Sequence, residues 1–162
     1  MKTGILTISD KGARQERVDT SGPAVAEVLK GIGAVIDKYE IIPDEIAVIA
    51  QKLVEYADDL HLDLVITTGG TGVAPRDVTP DATRMVIEKE IPGMAEAMRT
   101  ESLKKTPHAV ISRAIAGIRG RTLMINLPGS PRGATENLRA ILSAIPHAVA
   151  KIQGDPADCA TP

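Results

Sequence analysis

A chain of 162 residues, 43% of them hydrophobic, is long enough for one domain with a substantial core and too short for two. The formal net charge is -2, and basic and acidic residues are mixed along the chain, so it lacks the basic stripe that binds a nucleic-acid backbone. With two tyrosines and no Phe or Trp, it also lacks the stacking platforms of single-stranded nucleic-acid binders. We expect one domain at 1–154, a C-terminal tail at 155–162 and no nucleic-acid partner.

We expect a cytoplasmic protein, from the N-terminal segment, the lengths of the apolar spans and the number of cysteines. The strand-like N-terminal segment has one basic residue and reaches Ser9 too early to be a signal sequence, and no apolar span has the length of a membrane helix. Cys159 is the single cysteine, so no intrachain disulfide can form, as is usual in a reducing cytoplasm. Because Cys159 lies in the polar tail, we expect a plain thiol there rather than a catalytic one.

Strand-like and helix-like segments alternate along most of the chain. The predicted strands are 2–8, 34–42, 62–66, 111–118 and 122–127, and the predicted helices are 21–32, 45–60, 80–89, 94–104 and 130–145, with a polar loop at 10–20. The three residues between the last two strands fit a hairpin, so one strand should run antiparallel. This pattern predicts a three-layer α/β/α fold whose mostly parallel sheet contains one antiparallel strand.

The most informative segment is 67–83, where a glycine-rich loop follows a buried strand and leads into a helix. Gly69, Gly70 and Gly72 can adopt positive φ and bring bare N–H groups close to an anion. Thr79 is predicted as the helix N-cap, with Pro80 at the first helical position. A plain turn would also need glycines, but it would not need the Arg76-Asp77 pair or this helix start, so the segment favours an anion site.

Four polar loops should meet at one edge of the sheet, because right-handed crossovers put all strand-to-helix loops there. They contain Ser9-Asp10, Pro43-Asp44, residues 69–77 and residues 126–130. Carboxylates and phosphates repel each other, so acidic residues beside a phosphate loop make sense when Mg²⁺ lies between them.

Each carboxylate in these loops also has a purely structural explanation. Taken alone, Asp44 is better explained as a helix N-cap than as a metal ligand. Asp77 could form a loop salt bridge with Arg76, and Asp10 could close an Asx-turn.

Several familiar kinds of site are absent from the sequence. The glycines lack the Lys-Ser/Thr of a phosphate-binding P-loop, and their spacing and position differ from a dinucleotide fingerprint. His61, His108 and His147 lie outside the four loops, which leaves no candidate for covalent catalysis. Phosphoryl or nucleotidyl transfer needs no such base when the attacking group is itself a phosphate.

These motifs together resemble the molybdopterin adenylyltransferases of the MogA/MoaB type and the G domain of gephyrin. The resemblance rests on Thr-Thr-Gly-Gly-Thr-Gly at 67–72, on Arg-Asp-Val-Thr-Pro-Asp-Ala-Thr at 76–83, on Ile-Pro-Asp-Glu at 42–45 and on Asn-Leu-Pro-Gly at 126–129. Family-like segments at 91–94, 101–103 and 112–113 extend it over about 5–154. The intact Arg-Asp-Val-Thr-Pro segment favours a MogA-like enzyme.

The resemblance implies an enzyme that binds molybdopterin and Mg-ATP, joins AMP to the terminal phosphate of the pterin and releases pyrophosphate. It also implies a homotrimer and transfer of the product to a separate molybdenum-insertion enzyme. Carried over by position, Asp44 and Asp77 are the catalytic and Mg²⁺-holding residues. The implied nucleotide- and pterin-binding residues are Ser9, Asp10, Gly69, Gly70, Thr71, Gly72, Arg76, Thr79, Ser102, Asn126, Pro128, Gly129 and Ser130. Two alternatives are a non-catalytic pterin-binding or scaffold protein and another nucleotide enzyme, such as a hydrolase.

Overall fold

A computed structural model describes residues 1–156, so Cys159 lies outside the described residues. Its strands are β1 (Lys2–Ile8), β2 (Val35–Ile42), β3 (Leu64–Thr68), β4 (Lys89–Glu90), β5 (Ala116–Arg119) and β6 (Thr122–Leu127). Its helices are α1 (Asp10–Ala13), α2 (Ser21–Leu29), α3 (Ile46–Val54), α4 (Thr79–Val86), α5 (Pro92–Leu103), α6 (Pro131–Ile141) and α7 (Ala144–Ile152). None of the helices in this part of the chain has both the length and the apolar character of a membrane span.

The six strands form one sheet in the order β2-β1-β3-β6-β5-β4. Pairing is parallel from β2 through β1 and β3 to β6. β5 pairs antiparallel with both β6 and β4, so β5 is the strand that runs against the others. The prediction of a mostly parallel sheet with one antiparallel strand is therefore confirmed.

Helices cover both faces of the sheet, as β1 illustrates. Its successive side chains point to opposite faces. Ile5 belongs to a core cluster that includes Val25 of α2 and Leu138 of α6. Leu6 belongs to a second cluster, which includes Ile49 of α3. The sheet thus separates two apolar cores, which confirms the three-layer α/β/α architecture.

The predicted strand at 111–118 is wrong in its first half. The structure has a 3-10 turn at Pro107–Ile111, and β5 begins only at Ala116. The hydroxyl oxygen of Thr106 caps this turn by accepting from the amide of His108 at 3.3 Å. Ile111 is half exposed, so the apolar run there does not mark a buried strand.

Other predicted boundaries also differ, for example the strand at 62–66, which is observed at Leu64–Thr68, and the helix at 45–60, whose α-helical part ends at Val54. The predicted helix at 80–89 ends at Val86, because Ile87 is extended and leads into β4, which pairs with β5. The predicted helix at 130–145 is divided into α6 and α7. The predicted loop at 10–20 contains α1, which Ser9 caps by accepting from the amide of Gly12 at 3.1 Å.

A π turn at Glu55–Asp59 follows α3 and places Tyr56 against β1. The Tyr56 ring is fully buried and lies on Gly4, where a Cβ atom would be 2.5 Å from the ring and 2.7 Å from Leu62 Cδ1. A residue without a side chain is therefore needed at this point of the core.

We predict that Gly4→Ala destabilises the protein by about 1–3 kcal/mol, because the added methyl group overpacks the core. Gly31→Ala is the matched control, since no atom lies within 4 Å of a Cβ there and its φ is not positive. This control should be neutral or stabilise the protein by up to about 1 kcal/mol. Urea unfolding measures both, and equal unfolding free energies for the two variants would contradict the packing described.

Candidate active site

The carboxyl ends of β2, β1, β3 and β6 lie side by side, because these parallel strands are neighbours in the sheet. From β1 the chain crosses to β2 on one side, and from β2 it returns to β3 on the other side of β1. The space beyond β1 and β3 is therefore a switch point in strand order, where open α/β sheets bind ligands. The predicted polar loops meet at this point.

The glycine loop, residues 69–72, is pressed between the end of β1 and the turn after β6. Gly69 and Gly70 have φ of 111° and 63°, which residues with side chains rarely adopt. A Cβ atom on Gly69 would overlap the carbonyl oxygen of Ile8, and one on Gly129 would lie 3.1 Å from Gly69 Cα. The close approach of three backbone segments therefore requires glycine here.

Most amides of the glycine loop are available to a ligand. The amide of Gly69 is an exception, because it donates to the carbonyl oxygen of Leu127 at 3.1 Å and ties the loop to β6. Among the described residues, none accepts a hydrogen bond from the amides of Gly70, Thr71 or Gly72. Successive unpaired amides in a turn form a concave anion-binding surface.

Asp10, Asp44 and Arg76 connect the loops after β1, β2 and β3. The amide of Asp10 donates to Asp44 Oδ2 at 2.8 Å, and the amide of Asp44 donates back to Asp10 Oδ1 at 3.1 Å. Arg76 approaches Asp10 in a forked geometry, with Nη2 at 2.8 and 2.7 Å from its two carboxylate oxygens. The Arg76 guanidinium is the main cause that lowers the pKa of Asp10.

The prediction that Asp44 caps α3 is wrong. The N-cap position is Glu45, and no side chain caps this helix end. Asp44 instead uses Oδ2 to bind the amide of Asp10, while Oδ1 accepts no hydrogen bond from any described residue. The pKa of Asp44 is raised, mainly because the carboxylate is partly buried. The negative charges of Asp10 and Asp77 also raise it, while the hydrogen bond from the Asp10 amide and the charge of Arg76 oppose the rise. A cation beside Oδ1 would relieve this repulsion.

Asp77, like Asp44, accepts a backbone amide with one carboxylate oxygen and leaves the other unbonded. The alternative salt bridge between Asp77 and Arg76 does not form, because Arg76 pairs with Asp10. Asp77 Oδ2 accepts from the amide of Ala74 at 2.8 Å, and no described residue donates to its Oδ1. A Cβ atom on Gly72 would lie 2.7 Å from Asp77 Oδ2, so the carboxylate lies directly against the glycine loop.

The two carboxylates fit Mg²⁺ better than a metal held by protein ligands alone. The described residues contain no group of three or more His, Cys, Asp or Glu side chains that could hold a metal ion. Mg²⁺ is usually bound by one or two carboxylates together with phosphate oxygens and water. Asp44 and Asp77 each have one carboxylate oxygen that accepts no hydrogen bond from a described residue, and both side chains lie against the glycine loop.

The predicted N-cap at Thr79 is also wrong. The cap position is Val78, Thr79 is the first helical residue, and its side chain makes no cap hydrogen bond. Thr79 is fully buried, and its Oγ1 has no hydrogen-bond partner. The backbone amide of Thr79 donates to the carbonyl oxygen of Gly70 at 3.1 Å, so the helix start is joined directly to the glycine loop.

Asn126 lies below the site rather than on its surface. Its side chain is fully buried and donates to Thr67 Oγ1 at 3.0 Å and to Thr83 Oγ1 at 2.9 Å. Its Oδ1 accepts from the amide of Ile115 at 3.4 Å. This side chain therefore connects β3, α4 and β6 with the residue before β5, and it supports the site from beneath.

Two cavities lie on either side of the glycine loop. The first has a volume of about 310 Å³, and the second has a volume of about 280 Å³. The predicted residues that line the first cavity are Ser9, Gly69, Gly70, Gly129 and Ser130. The predicted residues that line the second cavity are Thr71, Gly72, Ser102, Pro128 and Ser130. Consecutive residues of one loop thus face two different cavities.

Sequence reasoning missed Asp19, which shapes the wall of the first cavity. Its Oδ2 accepts from Thr7 Oγ1 at 2.5 Å and from the hydroxyl of Tyr39, and its Oδ1 accepts from the amide of Ser21 at 2.8 Å. Burial would raise the pKa of Asp19, but these hydrogen bonds outweigh it and the pKa is lowered. The pKa of Tyr39 rises to about 12, because its hydroxyl is partly buried and lies beside the Asp19 carboxylate. An Asp placed two residues before a Ser-Gly-Pro helix start is a signal that could have identified it.

The second cavity also contains residues that no motif indicated. They include Arg99, Lys105, Thr106, His108 and Asn137. Asn137 Nδ2 donates to Ser102 Oγ at 2.8 Å, which joins α6 to α5 at the cavity wall. His108, which the sequence placed outside the site, lies on this wall as an exposed residue.

Comparisons with known proteins identify the family to which this chain belongs. Residues 4–147 match the family model described as "Probable molybdopterin binding domain". A molybdopterin adenylyltransferase of Helicobacter pylori strain J99 is 45% identical over 154 residues, which cover 94% of this chain and 88% of the relative. One of Escherichia coli K12 is 42% identical over 148 residues, which cover 89% and 75%.

A solved structure of a protein with a related name has the same fold. The molybdopterin biosynthesis enzyme MoaB from Thermus thermophilus is 52% identical to this chain, with a TM-score of 0.90 over 97% of this chain and 99% of that one. The chain therefore belongs to the molybdopterin-binding domain family, as its motifs predict.

Proposed function

We propose that this protein is a nucleotidyltransferase of molybdenum cofactor biosynthesis, which transfers AMP from Mg-ATP to the terminal phosphate of molybdopterin. The relatives with 42–45% identity carry the name molybdopterin adenylyltransferase. The structural observation that carries the proposal is a glycine loop with three unpaired amides between two cavities, flanked by two carboxylates that each have a free oxygen.

Two cavities that meet at one loop suit the joining of two substrates. Gly70 lines the first cavity and Thr71 lines the second, so substrates on the two sides would bring their phosphates together at this loop. Holding two reactants in the correct orientation accounts for a large part of the acceleration of such reactions. A hydrolase would need a pocket for one organic substrate and water, so the second cavity favours transfer.

The proposed reaction needs positioning and charge screening rather than a side-chain base. A terminal phosphate oxygen of the pterin attacks the α-phosphorus of ATP, forming one P–O bond. The bond between the α-phosphorus and the bridging oxygen breaks, and the electron pair leaves with pyrophosphate. The amides of Gly70, Thr71 and Gly72 would donate to phosphate oxygens and stabilise the charge that develops there.

Acidic and basic residues around the loop have separate roles in this proposal. Asp44 and Asp77 would hold Mg²⁺ through their free oxygens, and the ion would screen the phosphates from each other and from the carboxylates. Arg76 is about 60% exposed and is held by Asp10, so it supplies positive charge at the rim of the site.

We predict that Asp44→Asn and Asp77→Asn each lower the rate of AMP transfer by at least roughly 100-fold, because each removes a negative charge next to the cation. Pterin binding and the unfolding midpoint should change little. The assay follows adenylylated pterin by mass spectrometry after incubation with molybdopterin and Mg-ATP.

Asp37→Asn is the control, because Asp37 is an exposed residue of β2 and the substitution removes the same charge outside the site. It should retain wild-type turnover. Turnover at the wild-type rate in either site variant would rule out these roles. Wild-type protein that binds pterin without forming product would indicate a scaffold, and ATP consumption without pterin would indicate a hydrolase.

We also propose that the protein acts in the cytoplasm as a homotrimer and passes its product to a molybdenum-insertion enzyme. The trimer is what the family resemblance implies. Val18, Val73, Met85 and Val110 are each more than 60% exposed, and burial between subunits would remove their apolar surface from water. Light scattering should therefore give the mass of three 17.1-kDa chains, and a monomeric mass at micromolar concentration would contradict the trimer.

A further inference from the structure

Arg17 brings a positive charge to the wall of the first cavity. The charged side chains that line this cavity are Arg17 and Asp19, and Gly69 and Gly70 of the glycine loop line it as well. Both carboxylate oxygens of Asp19 are occupied by protein donors. Arg17 is exposed, and among the described residues none accepts a hydrogen bond from its guanidinium or forms an ion pair with it. The free charged group of this cavity is therefore a cation.

The other basic side chains around the site are already engaged. In the second cavity, Lys105 forms an ion pair at 3.1 Å, and Arg99 donates to a backbone carbonyl oxygen at 2.9 Å. Arg76, at the rim, is paired with Asp10. Of the arginines and lysines that line either cavity in the described part of the chain, Arg17 alone has no partner within the protein.

The backbone is anchored on both sides of Arg17. On one side, the amide of Glu16 donates to the carbonyl oxygen of Lys11 at 2.8 Å, which closes the chain onto α1. On the other side, Asp19 accepts from Thr7 Oγ1 of β1 at 2.5 Å. These anchors limit the positions that the Arg17 side chain can reach. Less conformational freedom is then lost when it binds a ligand.

A free guanidinium on a cavity wall favours an anionic ligand. Its planar group can donate two parallel hydrogen bonds to the oxygens of one phosphate. Gly70, whose unpaired amide is proposed to face phosphates, lines the same cavity. None of the motifs that indicated the family contains Arg17, which lies in the segment between α1 and α2.

We propose that Arg17 binds a phosphate group of the substrate that occupies the first cavity. This inference rests on the proposed function, because it takes the cavity as a substrate site. ATP and molybdopterin both carry phosphate, and the experiment below distinguishes them. An interaction made equally in the bound substrate and in the transition state strengthens binding and leaves the chemical step unchanged. Arg17 should therefore affect substrate affinity rather than kcat.

The test is Arg17→Gln, which removes the charge from an exposed side chain and should leave the urea midpoint unchanged. Calorimetry gives the Kd for Mg-ATP and, separately, the Kd for molybdopterin. One of these values should rise roughly tenfold, because one charge-assisted hydrogen bond is lost, and the other should change by less than about twofold. In the AMP-transfer assay, the KM for the same substrate should rise while kcat stays within about twofold. The substrate whose Kd rises is the occupant of the first cavity.

Arg14→Gln is the matched control. Arg14 is also an exposed arginine between α1 and α2, but it pairs with Glu16 at 2.9 Å and lines neither cavity. Both Kd values of this variant should stay within about twofold of the wild type. Arg17→Lys keeps the charge and loses the forked geometry, so its Kd should lie between those of the wild type and Arg17→Gln.

Three results would overturn the inference and leave the proposed function intact. The first is an Arg17→Gln protein with both Kd values at the wild-type level, which would mean that the guanidinium contacts neither substrate. The second is an equal rise in both Kd values, and the third is the same rise for Arg14→Gln. Either would indicate a general effect of charge rather than a contact in one cavity.

Failure of the proposed function would look different. Wild-type protein that binds both substrates but forms no adenylylated pterin would contradict the proposed function alone, because the Kd measurements do not depend on turnover. Wild-type protein that binds neither substrate would contradict both proposals.

Discussion

The structure of the site depends on the close approach of three backbone segments, two of which have glycine at the point of contact. Gly69 lies against the carbonyl oxygen of Ile8 at the end of β1, and Gly129 lies against Gly69. This contact sets the distance between the ends of β1, β3 and β6, and with it the separation of the two cavities. One Cβ atom at Gly69 would force the loops apart, because backbone atoms of packed strands cannot move aside cheaply.

The same packing leaves polar groups without partners at the point where chemistry is proposed. Three consecutive amides, two carboxylate oxygens and one buried hydroxyl make no hydrogen bond with the described residues. The unpaired Thr79 hydroxyl is buried and is a cost in the free protein, whereas Gly70, Gly72, Asp44 and Asp77 are partly exposed and can bind water. A bound phosphate with its cation would take the place of that water. Elsewhere in the described core, polar side chains such as Asn126 and Thr83 are fully bonded. These groups lie together at one edge of the sheet, where a ligand that carries phosphates could reach them.

The architecture could be predicted from the sequence because it depends on long, repeated patterns. The alternation of strand-like and helix-like segments predicted a mostly parallel sheet, and the short connection at 119–121 predicted its antiparallel strand. The predicted helix start at residue 130 is confirmed, because the hydroxyl oxygen of Ser130 caps α6 by accepting from the amide of Gly133 and no neighbouring loop interferes. Local signals failed at Asp44 and Thr79, where a neighbouring loop determines what the side chain can reach.

The sequence motifs identified the loop and the carboxylates of the candidate site, but not the residues that line the second cavity. The glycine loop and the two carboxylates could be found because their residue types are unusual for a simple turn. His108 and Asn137 could not be found, because they reach the second cavity only through the packing of the 3-10 turn and α6 around it. Asn126 carries a family motif and yet lies beneath the site, so the motif alone does not separate contact with a ligand from support of the loop.

The most direct test of the central claim is a crystal structure of the protein with Mg²⁺ and a non-hydrolysable ATP analogue. The phosphates should lie within hydrogen-bond distance, about 3 Å, of the amides of Gly70, Thr71 and Gly72. The cation should lie between the phosphates and the free oxygens of Asp44 and Asp77. Phosphates bound away from the glycine loop, with both carboxylates uninvolved, would contradict the assignment of this edge of the sheet as the active site.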